Sequence, residues 1–212
     1  MTKSKLINEK RIGGLFLILG SIVLLTTIYF EYSVGWIGNA RTDEETKGFI
    51  LNNWEKLKHI WTWQMLSHLI FIIGYFLLLK NAIIIMRIIW STLLVCSLLM
   101  LVAFGLTLGT YYPALEAYNS EPTVFETISG GIRYLYQFGR YGLLLFFVAF
   151  LVETLNKNGK VLKVFGFSFL AFIILLFIIG YAFGISMKII GAVFFLLPLA
   201  IGYFYLKNGI NE

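Results

Sequence analysis

Charge is what this chain of 212 residues has least of: 13% of its residues are charged and 59% are hydrophobic, whereas an ordinary soluble domain carries about 25% charged residues. That ratio excludes a water-soluble monomer. Disorder fails on the same numbers, because it needs low hydrophobicity and high net charge. Cysteine is nearly absent too. Cys96 is the only one and sits in an apolar run, which leaves no disulfide framework and no cysteine metal cluster. His59 and His68 are the only histidines. At about 100° per residue, nine positions along one helix place them on roughly opposite faces. A two-histidine metal or haem site within one chain is therefore not expected, and no cofactor, metal ligand or catalytic residue is assigned. The net charge of +6 is modest, and the basic residues flank apolar runs without forming a stripe, which excludes nucleic acid as a partner.

What the chain has in plenty is apolar length. Crossing the hydrocarbon takes roughly 20 apolar residues, and six such runs are present, at about 12–30, 60–79, 82–109, 132–152, 161–184 and 186–206. The expected fold is an all-α integral membrane protein: one transmembrane domain over residues 1–212, built as a bundle of six transmembrane helices. The third run is long enough to tilt or to project beyond the bilayer. Pro198 is expected to kink the sixth. Lys3, Lys5, Lys10 and Arg11 precede the first run. That run exceeds the usual signal-peptide core of about 7–15 residues, so it reads as an uncleaved first span.

Lysine and arginine near the span ends set the orientation. With the N-terminus inside, the inner segments hold ten basic residues and the outer segments seven, and the net charges are +7 and −1. The expected placement is the inner (plasma) membrane, multi-pass, with both termini cytoplasmic.

The outer loops carry patterns of their own. Thr42 followed by Glu45 is a capping-box start, with Asp43 and Glu44 favouring the positive helix end. Ile50, Trp54, Leu57 and Trp61 then share one face. An amphipathic surface helix is expected over 42–61, running into span two, either as an interfacial connector or as a lid over a site between the helices. The second outer loop, roughly 110–131, carries Glu116, Glu121 and Glu126 without the spacing of a calcium loop. Pro122 fits the start of a short helix there, and Gly130–Gly131 its end.

Ionisable residues inside a span are costly and tend to face a bundle interior or a wet cavity. Spans five and six offer almost none. In span two, Trp61, Gln64 and His68 stand at i, i+3 and i+7; in span four, Arg133, Gln137 and Arg140 stand at i, i+4 and i+7. His68 and Arg140 each lie eight residues into their spans, which at 1.5 Å per residue is roughly 12 Å below the outer boundary. Glu31, Thr107 and Tyr111 fall near the same level, as do Thr26 and Thr27. Two readings follow. One is a cationic cavity open to the outside, where guanidinium groups take the carboxylate or phosphate of a small anionic ligand or lipid head group. The other is an internal network in which Glu31 or loop acids neutralise the arginines while His68 and Gln64 bond to neighbouring helices. Elsewhere Arg87 could snorkel to the inner interface or pair with Glu153, and Gly105–Gly109 and Gly180–Gly184 are small-residue pairs that allow close helix packing.

The run R-I-G-G-L-F-L-I-L-G at 11–20, the long first outer loop and N-G-K-V-L-K-V-F-G at 158–166 resemble a family of small bacterial six-span membrane proteins, a domain-of-unknown-function family. That resemblance implies six spans and carries over no catalytic residue. Three functions remain. The first is a ligand- or lipid-binding, sensory or subunit role, with membrane lipid, a small anionic ligand, a second copy or a membrane complex as partner. The others are a transporter or channel, and a membrane-embedded enzyme. Reporter fusions at Glu212 and within residues 116–121 should label opposite sides of the membrane, with Glu212 inside; finding Glu212 outside would invert the topology.

Overall fold

The computed structural model describes residues 3–80, 82–156, 160–184 and 193–208. Its described residues are helical, with no strand among them. In chain order the elements are α1 (Lys3–Val34), α2 (Asp43–Leu79), α3 (Ile84–Leu106), a π-helix (Thr107–Tyr111), α4 (Tyr112–Glu116), α5 (Pro122–Leu155), α6 (Lys160–Ala182) and α7 (Leu196–Asn208). Five of these segments are long and apolar enough to cross a membrane: the one ending at Val34, α2, the run Ile84–Glu116, α5 and the described part of α6. The expected sixth span is seen only as α7, because residues 186–192, with Lys188, lie outside the described residues, as does Lys157.

Helix α1 packs along α2 and α7, α2 along α3, α3 along α5, and α5 along α7, so five helices close a ring while α6 leans on the outside of α5. The outward surface is apolar: Leu15, Leu19 and Ile22 on α1, Ile84, Ile85 and Ile88 on α3, and Phe172, Leu175 and Ile178 on α6 are all exposed. A surface of that kind is compatible with lipid and far exceeds the apolar patches that soluble monomers tolerate.

Glycine decides how closely the ring can draw in. A Cβ on Gly202 would come to 2.5 Å from the Gly14 carbonyl oxygen, and one on Gly14 to 2.8 Å from the Gly202 oxygen, so α1 and α7 lie backbone against backbone. Gly13 makes the same approach to α2 beside Gly74 and Leu78. The pair singled out by its spacing, Gly105 and Gly109, has nothing within 4 Å of a built Cβ, and Gly184, at φ +64, ends α6 in the left-handed cap conformation without packing. Gly105 and Gly109 therefore do not carry the close packing expected of them.

Local expectations meet mixed outcomes. The helix after Thr42 exists, and its capping box is complete: Thr42 N–H donates to Glu45 Oε2 at 2.8 Å and Glu45 N–H to Thr42 Oγ1 at 3.3 Å. It runs on into span two as expected, as one 37-residue helix bent at Asn53 (φ −121, ψ 15). The Asn53 side-chain amide donates to the Phe49 carbonyl at 3.0 Å, supplying a partner that the bent backbone no longer offers. Helix α5 starts at Pro122 but runs unbroken through Gly130–Gly131; a glycine costs an exposed helix only about 1 kcal/mol, too little to end it. Arg87 does not meet Glu153. Its guanidinium donates to the Ala82 carbonyl at 3.4 Å, while the Tyr205 hydroxyl donates to Glu153. Pro198 falls in the first turn of α7, just after a turn residue at Phe195, so the helix restarts where a missing N–H costs nothing.

We call the end of the bundle with residues 35–42 and 117–121 the upper end. The lower half is filled by rings. Tyr75 is stacked between Phe71 and Trp90, with centroids at 6.0 and 5.8 Å, and Phe150 stacks on Phe204 at 5.3 Å. All five are essentially inaccessible. Gly202→Ala should lower the thermal stability of the purified protein by the equivalent of about 1–3 kcal/mol, the usual cost of overpacking, whereas Gly105→Ala should leave it unchanged or slightly raised; thermal unfolding of both variants in the same detergent checks the contrast.

Candidate functional site

The upper half is built differently, beginning with the 35–42 loop. Gly35 and Gly38 take φ values of +85 and +96, which only glycine adopts without strain. They fold the chain back so that the Arg41 guanidinium donates to the carbonyls of Gly35 and Trp36 and lies 4.0 Å from the Phe49 ring centroid. Trp36 is thereby stacked on Phe49 and set edge-on to Trp61 at 5.8 Å. Trp61 meets Trp54 edge-on at 6.0 Å, and Trp54 stacks on Tyr112 at 4.7 Å. The bend at Asn53 lets α2 bring Trp54 and Leu57 into this aromatic collar, which packs on Leu115 and Phe125.

Beneath the collar lies a cavity of about 550 Å³, within the range of about 300–1,000 Å³ usual for small-ligand sites. Seven of the eight residues that the sequence nominates line it: Glu31 from α1, Trp61 and Gln64 from α2, Tyr111 from the π-helix, and Arg133, Gln137 and Arg140 from α5. Glu31 is buried and accepts the Trp61 indole N–H at 2.9 Å, while its own backbone carbonyl accepts Trp36 N–H at 2.8 Å. Gln64 is buried; both arginines are exposed. Between described residues the salt bridges are Lys47–Glu44 and Lys80–Glu9. Among the described residues no carboxylate therefore forms a salt bridge within 4.0 Å of either cavity guanidinium.

The eighth residue, His68, lies elsewhere. One turn below Gln64, it lines a second cavity of about 220 Å³, with its Nδ1 at 3.5 Å from Ser97 Oγ. That chamber is walled mainly by Phe71, Leu93, Met100, Leu143 and Phe146, so His68 sits in an apolar chamber and not in the polar one. Arg140 also lines this chamber, as does Tyr136. Depth along the two helices matches as expected; the polarity of the lower space does not.

Two contributors had no signal in the sequence. The π-helix widens one turn so that Thr107 and Tyr111 both reach the cavity, a geometry often found at functional sites. Tyr136 has its hydroxyl at 3.1 Å from Thr107 Oγ1, whose hydroxyl also bonds the Ala103 carbonyl at 2.8 Å. A π-helix depends on tertiary context. Tyr136 passes for one more aromatic in a chain with 12 tyrosines and 20 phenylalanines. Among the described residues no three of His, Cys, Asp and Glu are grouped to hold a metal.

Comparison with family models, curated proteins and solved structures finds no match to this chain. The site therefore rests on its own chemistry. Trp61→Phe keeps the ring contacts and deletes the indole donor to Glu31, so it should cost about 1–3 kcal/mol of stability. Trp61→Leu, which also removes the ring stacking, should cost more. Denaturation of the two variants side by side would expose an error in this assignment if they behaved alike.

Proposed function

We propose that the protein is a six-span, multi-pass membrane protein, termini cytoplasmic, that binds a small anionic group in the upper cavity and serves as a ligand-binding, sensory or subunit component. The observation that carries this reading is the placement of Arg133 and Arg140, two turns apart on one helix, in a 550 Å³ cavity with no described carboxylate against either. A guanidinium within the membrane-facing part of a bundle is costly unless it faces water or an anion, and its fork of donors suits carboxylate or phosphate. Gln137, between them on the same face, adds a neutral donor and acceptor. The six-span topology and the membrane placement rest on the apolar runs, the charge partition and the family resemblance.

A transporter would need a path through the lower half, where the packing of Phe71, Tyr75, Trp90, Phe150 and Phe204 leaves ring against ring. An enzyme would need a base or nucleophile beside the cavity; Glu31 is engaged by Trp61, and His68 lies in the lower chamber. Neither alternative has an observation in its favour.

Inorganic phosphate is the simplest probe, followed by intrinsic fluorescence, since Trp36 and Trp61 line the cavity. In phosphatidylcholine nanodiscs the protein should give a saturable change. Arg140→Gln and Arg133→Gln should each weaken binding about tenfold or more, as loss of a charge-assisted hydrogen bond implies, while Lys58→Gln, on the exposed side of α2, should not. Equal responses from all four proteins would refute the reading.

A further inference from the structure

The two cavities are neighbours. Arg140 and Tyr136 line both, so the polar upper space and the apolar lower chamber meet at those two side chains. Above the junction the walls carry Arg133, Gln137 and Gln64. Below it they are Leu93, Met100, Leu143 and Phe146, and the few polar groups there have local company, as His68 has in Ser97. The chamber ends on the ring stack, for Phe71, Tyr75 and Phe146 line it as well as the core beneath. Gly142 lines this space, and a Cβ there would stand at ordinary contact distances, 3.8 Å from Leu93 Cδ2 and 3.9 Å from Cys96 Cβ, so one methyl can be added to the wall without a clash.

We infer that the ligand is a single-chain anionic amphiphile, its phosphate or carboxylate head held by Arg133 and Arg140 and its hydrocarbon tail seated in the His68–Phe146 chamber. This inference rests on the anion-binding reading above and adds the part of the ligand below the head. A purely polar ligand would leave the lower chamber empty or wet, and its walls offer water few of the polar partners it needs. Size supports a short tail. An apolar cavity of about 150 Å³ admits a six-carbon ring. By proportion the 220 Å³ chamber takes about eight or nine carbons. Polarity along the cavity axis also matches, with charge toward the upper end and hydrocarbon toward the bundle centre.

The test is a chain-length series in phosphatidylcholine nanodiscs: inorganic phosphate, then ethyl, butyl, hexyl, octyl and dodecyl phosphate, each titration corrected against empty discs. Affinity should rise about fourfold per methylene, the transfer value for one buried CH₂, and level off near eight carbons. Gly142→Ala, which adds one methyl to the chamber wall, should weaken octyl phosphate about fourfold and leave inorganic phosphate unchanged. Arg140→Gln should weaken every member of the series. Phosphate binding that depends on Arg140 but shows no chain-length dependence would overturn the amphiphile and leave the anion site standing. Alkyl phosphates that bind equally well to wild type and to the Arg133→Gln/Arg140→Gln double variant would overturn the anion site itself. Phosphatidic acid in the disc, competing mole for mole with octyl phosphate, would replace the single-chain ligand with a membrane phospholipid and so overturn this assignment.

Discussion

A guanidinium on a helix as apolar as α5 cannot be satisfied by hydrocarbon, and that constraint bears on the upper half of this bundle. Arg133 and Arg140 on α5 line a space large enough to admit water or an anion. The other helices leave it. Residues 35–42 fold back beside it, α2 bends at Asn53 above it, and the π-helix opens a turn of the α3 segment along its side. The lower half has no such obligation and fills with aromatic rings at close contact. The division into an open, polar half and a closed, aromatic half therefore follows from where α5 carries its charge.

Burial and polarity act together at the junction of the halves. Glu31 is a buried carboxyl group that receives an indole N–H, and Thr107 receives company from Tyr136, so these groups are satisfied within the protein. The arginines are not so engaged among the described residues, and they stand where the two spaces meet. A polar wall that is internally satisfied is rigid; a polar group without a protein partner is available. The cavity combines both, the arrangement on which the proposed anion site rests.

Much of this was legible in the sequence, and the reasons for success and failure are physical. The spacing of Arg133, Gln137 and Arg140, and of Trp61 and Gln64, is a local property of a helix, so their shared face followed from numbering alone. The capping box at Thr42 and Glu45 is equally local. The continuation of the Thr42 helix into the next apolar run was legible, whereas the end placed at Gly130–Gly131 was not, because a glycine pair weakens a helix without ending it. His68 shows the limit of depth arguments: level with Arg140 along its helix, it nevertheless lies in apolar surroundings that only the neighbouring helices determine. The packing glycines were the least legible. Gly14 and Gly202 carry no spacing signal, since their partners lie on other helices, whereas Gly105 and Gly109 have the spacing and no partner.

That Gly14–Gly202 contact joins nearly the first helix of the chain to the last. Contacts so distant in sequence are slow to form and cannot exist until the whole chain is available. During synthesis α1, α2, α3 and α5 can pair in turn with their neighbours, and among the described residues it is α7 that links α1 back to α5 across the remaining side. The ring is a structure with a late keystone, and until α7 arrives the flank of α1 that will receive it stays uncovered.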